Sequence, residues 1–228
     1  MHRYRACFAK RGDLKYISHL DLQRTVTRAI YRAELPVVYS QGFNPQPRLI
    51  FAAPLAVGIE GEKEWFELDL AEPLSSHRLQ TLLQTQFPVG LELHSMEESD
   101  PREPPLASRV TSALYRVDLP QVPQGLDSQI EDLMNCDALV VSRFGKKGAK
   151  KMDIKPFIFH LNLDTIKETK TQRSGTLIMH LATGNRGGAR PAEVLQLLRL
   201  FDIEPPPSMR RTALLETRGD KQVYLLLS

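Results

Sequence analysis

Along residues 3–9 (RYRACFA), Tyr4, Ala6 and Phe8 alternate with Arg3, Arg5 and Cys7, the two-residue period of a strand with one buried face. KRGD at 10–13 reads as the turn that follows. A helix then opens with clear punctuation: Ser18 is an N-cap, Asp21 sits three residues on, and Ile17 and Leu22 occupy the positions of a hydrophobic staple. Its apolar stripe runs Leu22, Val26, Ala29/Ile30, Ala33, and Pro36 ends it, because the residue before proline is pushed out of the α region. RLIFAAPLAVG (48–58) and EKEWFELDL (62–70) predict an antiparallel hairpin, with Trp65 and Glu67 on one face and Phe66, Leu68 and Leu70 on the other. A second helix follows Ser75, with the stripe Leu79, Leu82/Leu83, Phe87, and LELHSM (91–96) is the returning strand. The order β-α-β-β-α-β is the split βαβ, or ferredoxin-like, arrangement.

Past an acidic and then proline-rich segment the order begins again. Strands are expected at 112–119 and 138–144, with a helix at 126–135 between them. A basic hairpin turn at 145–151 leads to strands at 157–163 and 176–182, a helix at 191–201 with Pro191 near its start, and two closing strands. The expected fold class is therefore α+β, two tandem ferredoxin-like (βαββαβ) halves with antiparallel sheets. The domains are 1–97 and 111–228, with 98–110 as linker. The halves share element order and no residue-level repeat.

Composition bounds the class. The 228 residues are 42% hydrophobic and 25% charged, those of an ordinary globular chain. Two cysteines make no disulfide framework, the N-terminus has no apolar signal region, and no stretch approaches the ~18 apolar residues of a membrane span. A cytoplasmic protein without a membrane partner is expected. The net charge of +3 conceals a polarity. Residues 1–60 carry nine Lys/Arg against four Asp/Glu, 61–105 three against ten, and 106–228 eighteen against thirteen. Two basic blocks thus flank an acidic one, and summed charge of one sign attracts a polyanion.

Three stretches can carry that chemistry. In Lys10–Arg32, Arg24, Arg28 and Arg32 recur every four residues along one helical face, and Arg3, Arg5, Lys10, Arg11 and Lys15 arrive from the adjoining strand and turn. This is either a solvated face or a phosphate-contacting ridge. Tyr39–Arg48 (YSQGFNPQPR) is a restricted loop in which Phe43 and Asn44 suit stacking on a base and hydrogen-bonding its edge, beside Arg48, unless Phe43 plugs the core. Arg143–Lys155 holds six basic residues and one acid, and is either a solvated hairpin or one whose Arg143, Lys146, Lys147, Lys150 and Lys151 track a phosphate backbone. TGNRGGARPAE (183–193) is a weaker anion-binding signal before a helix. His19, at a helix N-terminus that disfavours its protonation, is suited to act as a base, with Asp21 beside it as the second candidate catalytic residue. Asp21 is also explained as a capping acid. There is no Cys-x-x-Cys, His-Glu-x-x-His or Gly-x-Ser-x-Gly, and no metal or cofactor is implied.

The runs Gly12-Asp13-Leu14, Ser18-His19-Leu20-Asp21 and Gly42-Phe43-Asn44-Pro45-Gln46-Pro47 carry a resemblance. They are similar to a bacterial family of uncharacterised domains associated with radical SAM proteins, whose members occur alone or as the C-terminal part of larger cobalamin-binding radical SAM proteins. The resemblance spans the chain and is strongest over residues 8–70. Lacking cluster cysteines, the chain resembles the associated domain and not the radical enzyme, which implies a radical SAM protein as partner.

The function expected from these features is an RNA-binding module acting on tRNA or rRNA, the substrate-recognition partner of an RNA- or ribosome-modifying enzyme. Two other classes stay open. One is an RNA-acting enzyme using His19, by analogy with tandem ferredoxin-like CRISPR endonucleases and pseudouridine synthases. The other is a protein–protein adaptor that docks through the acidic middle segment.

Overall fold

A computed structural model of the chain describes residues 1–145, 148–168, 173–184, 187–218 and 221–225. The fold is mixed α+β, built of mostly antiparallel strands and few helices. It divides into two compact units, Met1–Val110 with Ala213–Ser228, and Thr111–Thr212.

In the first unit β1 (His2–Lys10) runs antiparallel between β3 (Ile59–Leu70) and β4 (Leu91–Ser99), and β2 (Leu49–Phe51) pairs with β3 on its far side. Of the strand expected over 48–58 only this three-residue piece forms, ahead of Pro54, which has no N–H for a ladder. Helices α1 (His19–Arg32) and α2 (Ser76–Gln84) cover one face of the sheet. Their buried stripes, Leu22/Val26/Ala29/Ile30 and Leu79/Leu83, meet Tyr4, Ala6 and Phe8 of β1 and Phe66, Leu68 and Leu70 of β3 in one apolar core. Gly90, before β4, sits at φ +91°, and a Cβ there would lie 2.6 Å from the Arg11 carbonyl oxygen. Only glycine lets that turn close on the end of β1.

The other face of the sheet holds the alternate residues of the same strands, and beside Cys7 and Trp65 it carries buried charges. Arg3 lies opposite Asp69 and Arg5 opposite Glu67, all four buried and ion-paired. Residues 98–110 lie along this face: Glu103 reaches Arg5, and the single helical turn α3 (Leu106–Arg109) buries Leu106 and donates its backbone N–H to Glu67. Strand β11 (Lys221–Tyr224) pairs with the C-terminal end of β10 (Ser208–Arg218) in this unit.

In the second unit β5 (Val110–Leu119) pairs antiparallel with β9 (Arg173–Ala182), and β9 with β8 (Ile158–Glu168). β10 neighbours β5, where the Thr212 hydroxyl donates to the Leu114 carbonyl. α4 (Leu126–Asn135) and α5 (Pro191–Leu197) follow β5 and β9. The last helix is shorter than its apolar stripe suggests. Arg199 takes φ +54° just beyond it, and Phe201 is left exposed. The strand expected at 138–144 forms as β6 (Val140–Gly145) but pairs with β7 (Gly148–Asp153) in a separate two-stranded ribbon.

Candidate functional site

Ser18 fixes the start of α1. Its hydroxyl accepts the Asp21 N–H at 3.2 Å and donates to the Asp21 carboxylate at 2.7 Å. With the helix anchored there, Leu22, Val26 and Ile30 point into the core, and a second stripe at three- and four-residue spacing comes to the surface: Leu20, Gln23/Arg24, Thr27/Arg28, Tyr31.

Beside this stripe stands the loop between α1 and β2. It is closed on itself like a clasp: Tyr39 bridges Pro47, the Ser40 N–H donates to the Gln46 carbonyl, and the Gln46 N–H returns a bond to the Ser40 hydroxyl at 3.0 Å. Gly42 at φ +131° turns the tip, and Phe43 at that tip is fully exposed rather than plugging the core. Between the α1 stripe and the base of this loop lies a groove of about 440 Å³, completed by Gln46, Pro47 and Leu49.

The groove offers two guanidinium groups, two side-chain amides, a phenol and an apolar floor. Arg24 forms an exposed i,i+3 pair with Asp21 at 3.1 Å, while the Arg28 guanidinium engages no partner among the described residues. The Ser18 and Arg24 hydrogen bonds hold the Asp21 carboxyl below the usual aspartate range, so it is charged at neutral pH and serves the helix N-terminus. His19 is partly buried, its ring edge-on to Phe51 at 5.3 Å. Just upstream, the Lys15 ammonium lies 5.1 Å from the centre of the exposed Tyr16 ring, a cation–π arrangement, and Arg11 is exposed.

Several basic residues expected to contact nucleic acid are held elsewhere, Arg3 and Arg5 among them, buried in ion pairs with Asp69 and Glu67. Lys10 is buried within β1, with about 1% of its surface exposed. Arg32 turns from the groove to α2, donating Nε to Gln86 Oε1 at 3.2 Å and Nη2 to the Gln86 carbonyl. Arg48 leans toward the buried Asp69 at 3.4 Å. Arg143 clamps Glu193 in a two-pronged ion pair at 2.7 and 2.8 Å and also donates to the Gly188 carbonyl, so it joins β6 to the start of α5. Lys146 and Lys147 lie outside the described residues, as do residues 185 and 186 of the glycine- and arginine-rich segment. Lys150 and Lys151 are exposed on β7, near an exposed Phe144. Register places Lys151 on the ribbon face of Phe144, and Lys150 on that of Arg143.

The groove residues that sequence reasoning passed over are Leu20, Gln23, Thr27 and Tyr31. Their signal was present: a second three- and four-residue spacing interleaved with the apolar stripe. Among the described residues no three His, Cys, Asp or Glu side chains gather as a metal-ligand set, and no helix is long and apolar enough to cross a membrane.

No curated protein matches the chain. The family model described as "Uncharacterized protein conserved in bacteria (DUF2344)" matches residues 3–191, a span that includes α1, the clasped loop and the whole groove, and the chain belongs to that family.

Proposed function

We propose that this protein is an RNA-binding module that recognises tRNA or rRNA for a modifying enzyme, a radical SAM protein being the partner its family resemblance suggests, in the cytoplasm. The observation that carries the reading is the groove between α1 and the clasped loop. It sets Arg24 and Arg28 beside amides and Tyr31, with Phe43 held out on a closed loop. Phosphates attract guanidinium groups without regard to sequence, and unstacked bases stack on exposed rings. Lys151 and Phe144, on one face of the second unit's ribbon, repeat the pairing of cation and ring. The strand orders β4-β1-β3-β2 and β10-β5-β9-β8 support reading both units as ferredoxin-like, one scaffold used twice.

The test is binding of the full chain to tRNA and to rRNA fragments, by fluorescence anisotropy, across about 50 to 200 mM salt. Affinity falls steeply with salt. Arg24→Ala and Arg28→Ala each lower the slope of log K against log salt by about 1. Phe43→Ala costs about 1–3 kcal/mol of binding, the worth of a stacked base. Absence of RNA binding near physiological salt overturns the proposal.

A further inference from the structure

A second concavity, of about 450 Å³, opens within the Thr111–Thr212 unit. Its polar wall brings together Arg116 and Asp118 of β5, Lys167 of β8, Thr176 of β9, and Ser208 and Arg210 of β10. The Asp118 carboxylate is the hub. It accepts Arg116 Nε at 3.3 Å, the Thr176 hydroxyl at 3.1 Å and an Arg210 Nη2 hydrogen bond. Arg116 Nη2 also donates to the Thr176 oxygen at 3.3 Å. Burial pushes the Asp118 carboxyl up, but the hydrogen bonds from Arg210 and Thr176 outweigh it and hold the group below its ordinary range. It is therefore an anion at neutral pH.

Among the described residues that line this pocket, the Asp118 carboxylate stands with three cations, Arg116, Lys167 and Arg210, so that lining is net positive. An arginine carries five N–H donors, and Arg116 uses two of them on Asp118 and Thr176. Two guanidinium groups held in place by a shared carboxylate are pre-organised for an incoming anion, because their rotamers are already fixed. The lining also holds Ser174 and Gly175 and an apolar portion made of Leu119, Pro120, Pro205 and Pro206. A bare phosphate would leave that surface unused, whereas a pocket of this volume is ligand-sized.

We infer that this pocket binds a nucleotide by its phosphomonoester, with Arg116, Lys167 and Arg210 on the phosphate and the proline wall against the sugar and base. A free mononucleotide and the 5′-terminal nucleotide of an RNA present the same chemistry. The inference does not rest on the RNA-binding groove, and the two fail separately.

Isothermal titration of the full chain with adenosine 5′-monophosphate, adenosine and inorganic phosphate tests it. The nucleotide binds at least about tenfold tighter than either fragment. Lys167→Gln, at an exposed strand position, and Arg116→Gln each weaken it by about tenfold, the worth of one charge-assisted hydrogen bond. Arg24→Ala/Arg28→Ala leaves this affinity unchanged. The phosphate is a dianion above its second pKa of about 6, so affinity drops as pH falls through that value. Competition with a 5′-phosphorylated and a 5′-hydroxyl oligoribonucleotide separates the sources: preference for the phosphorylated end assigns the pocket to RNA termini, competition by neither assigns it to free nucleotide, and equal displacement by both overturns the inference. No binding of the mononucleotide at millimolar concentration, nucleotide affinity equal to that of inorganic phosphate, or full affinity in Lys167→Glu would each overturn the inference.

Discussion

Arg5 and Glu67 stand opposite one another on β1 and β3, with Arg5 Nε donating to Glu67 Oε1 at 3.2 Å and each side chain only 2% exposed. The pair is the centre of a larger assembly. Glu103 accepts Arg5 Nη1 at 2.7 Å, the Leu106 N–H donates to Glu67 Oε2 at 3.0 Å, and Arg109 joins Glu103 to Glu216. Removing one partner of a buried pair strands the other charge out of water, which costs about 3–5 kcal/mol, whereas replacing both by apolar groups of similar volume is far milder. Arg5→Ala should therefore destabilise the protein by that amount in urea unfolding, and Arg5→Met/Glu67→Leu by much less. Equal losses in the two variants would show that packing, and not the stranded charge, dominates.

Glu216 gives this face its acid sensitivity. Arg109 grips its carboxylate with two hydrogen bonds, at 2.7 and 3.0 Å, and holds the group below the ordinary glutamate range against the opposing effect of burial. A carboxyl whose folded pKa is depressed contributes stability that is complete above the unfolded value of about 4.3 and is lost as pH falls through the lower folded value. Wild type should lose urea resistance as pH drops below about 4.3. Glu216→Gln should be less stable at pH 7 and should decline less steeply in acid. Parallel pH profiles for the two proteins would exclude this contribution.

The parts of the fold legible in the sequence are those fixed by local rules. The strand at the N-terminus, the capped start of α1 and its buried stripe each follow from spacing within a dozen residues. What stayed hidden depends on partners far along the chain. The polar alternation of Arg3 and Arg5 reads as part of a phosphate-contacting surface until the register sets Asp69 and Glu67 opposite them. The matching spacing, Arg-x-Arg against Glu-x-Asp, is visible only once the pairing is known. The same contact explains part of the charge polarity of the sequence, since acids of the middle block neutralise bases of the first inside the protein. The ribbon of β6 and β7 was missed as a separate element because its alternation matches that of a sheet strand.

At the groove, two segments singled out in the sequence, α1 and Tyr39–Arg48, come together, but not all of their basic residues face it. Arg24 and Arg28 open onto it. Arg32, on the same four-residue spacing, turns toward Gln86, because α2 ends beside the last turn of α1, a tertiary fact no periodicity contains.

Arg28 and Arg32 should therefore separate cleanly in experiment. Arg28→Ala should weaken RNA binding with its melting temperature unchanged. Arg32→Ala should keep RNA affinity and lose up to about 1 kcal/mol of stability from its bonds to Gln86, reduced by their exposure. Reversed behaviour would place the phosphate ridge on the α2 side of the helix.

The two cysteines should differ as sharply. Cys7 lies inside the sheet, and burial pushes its thiol up to about 11, whereas Cys136 is exposed at the end of α4. The thiolate is the reactive form, so Cys7 is both shielded and protonated at pH 8. Iodoacetamide at that pH should modify Cys136 alone in the folded protein, and both residues once urea has unfolded it. Cys136→Ser should then leave a protein whose single alkylation tracks global unfolding of the first unit. Rapid labelling of Cys7 without denaturant would mean that β1 opens on its own, which its central position between β3 and β4 argues against.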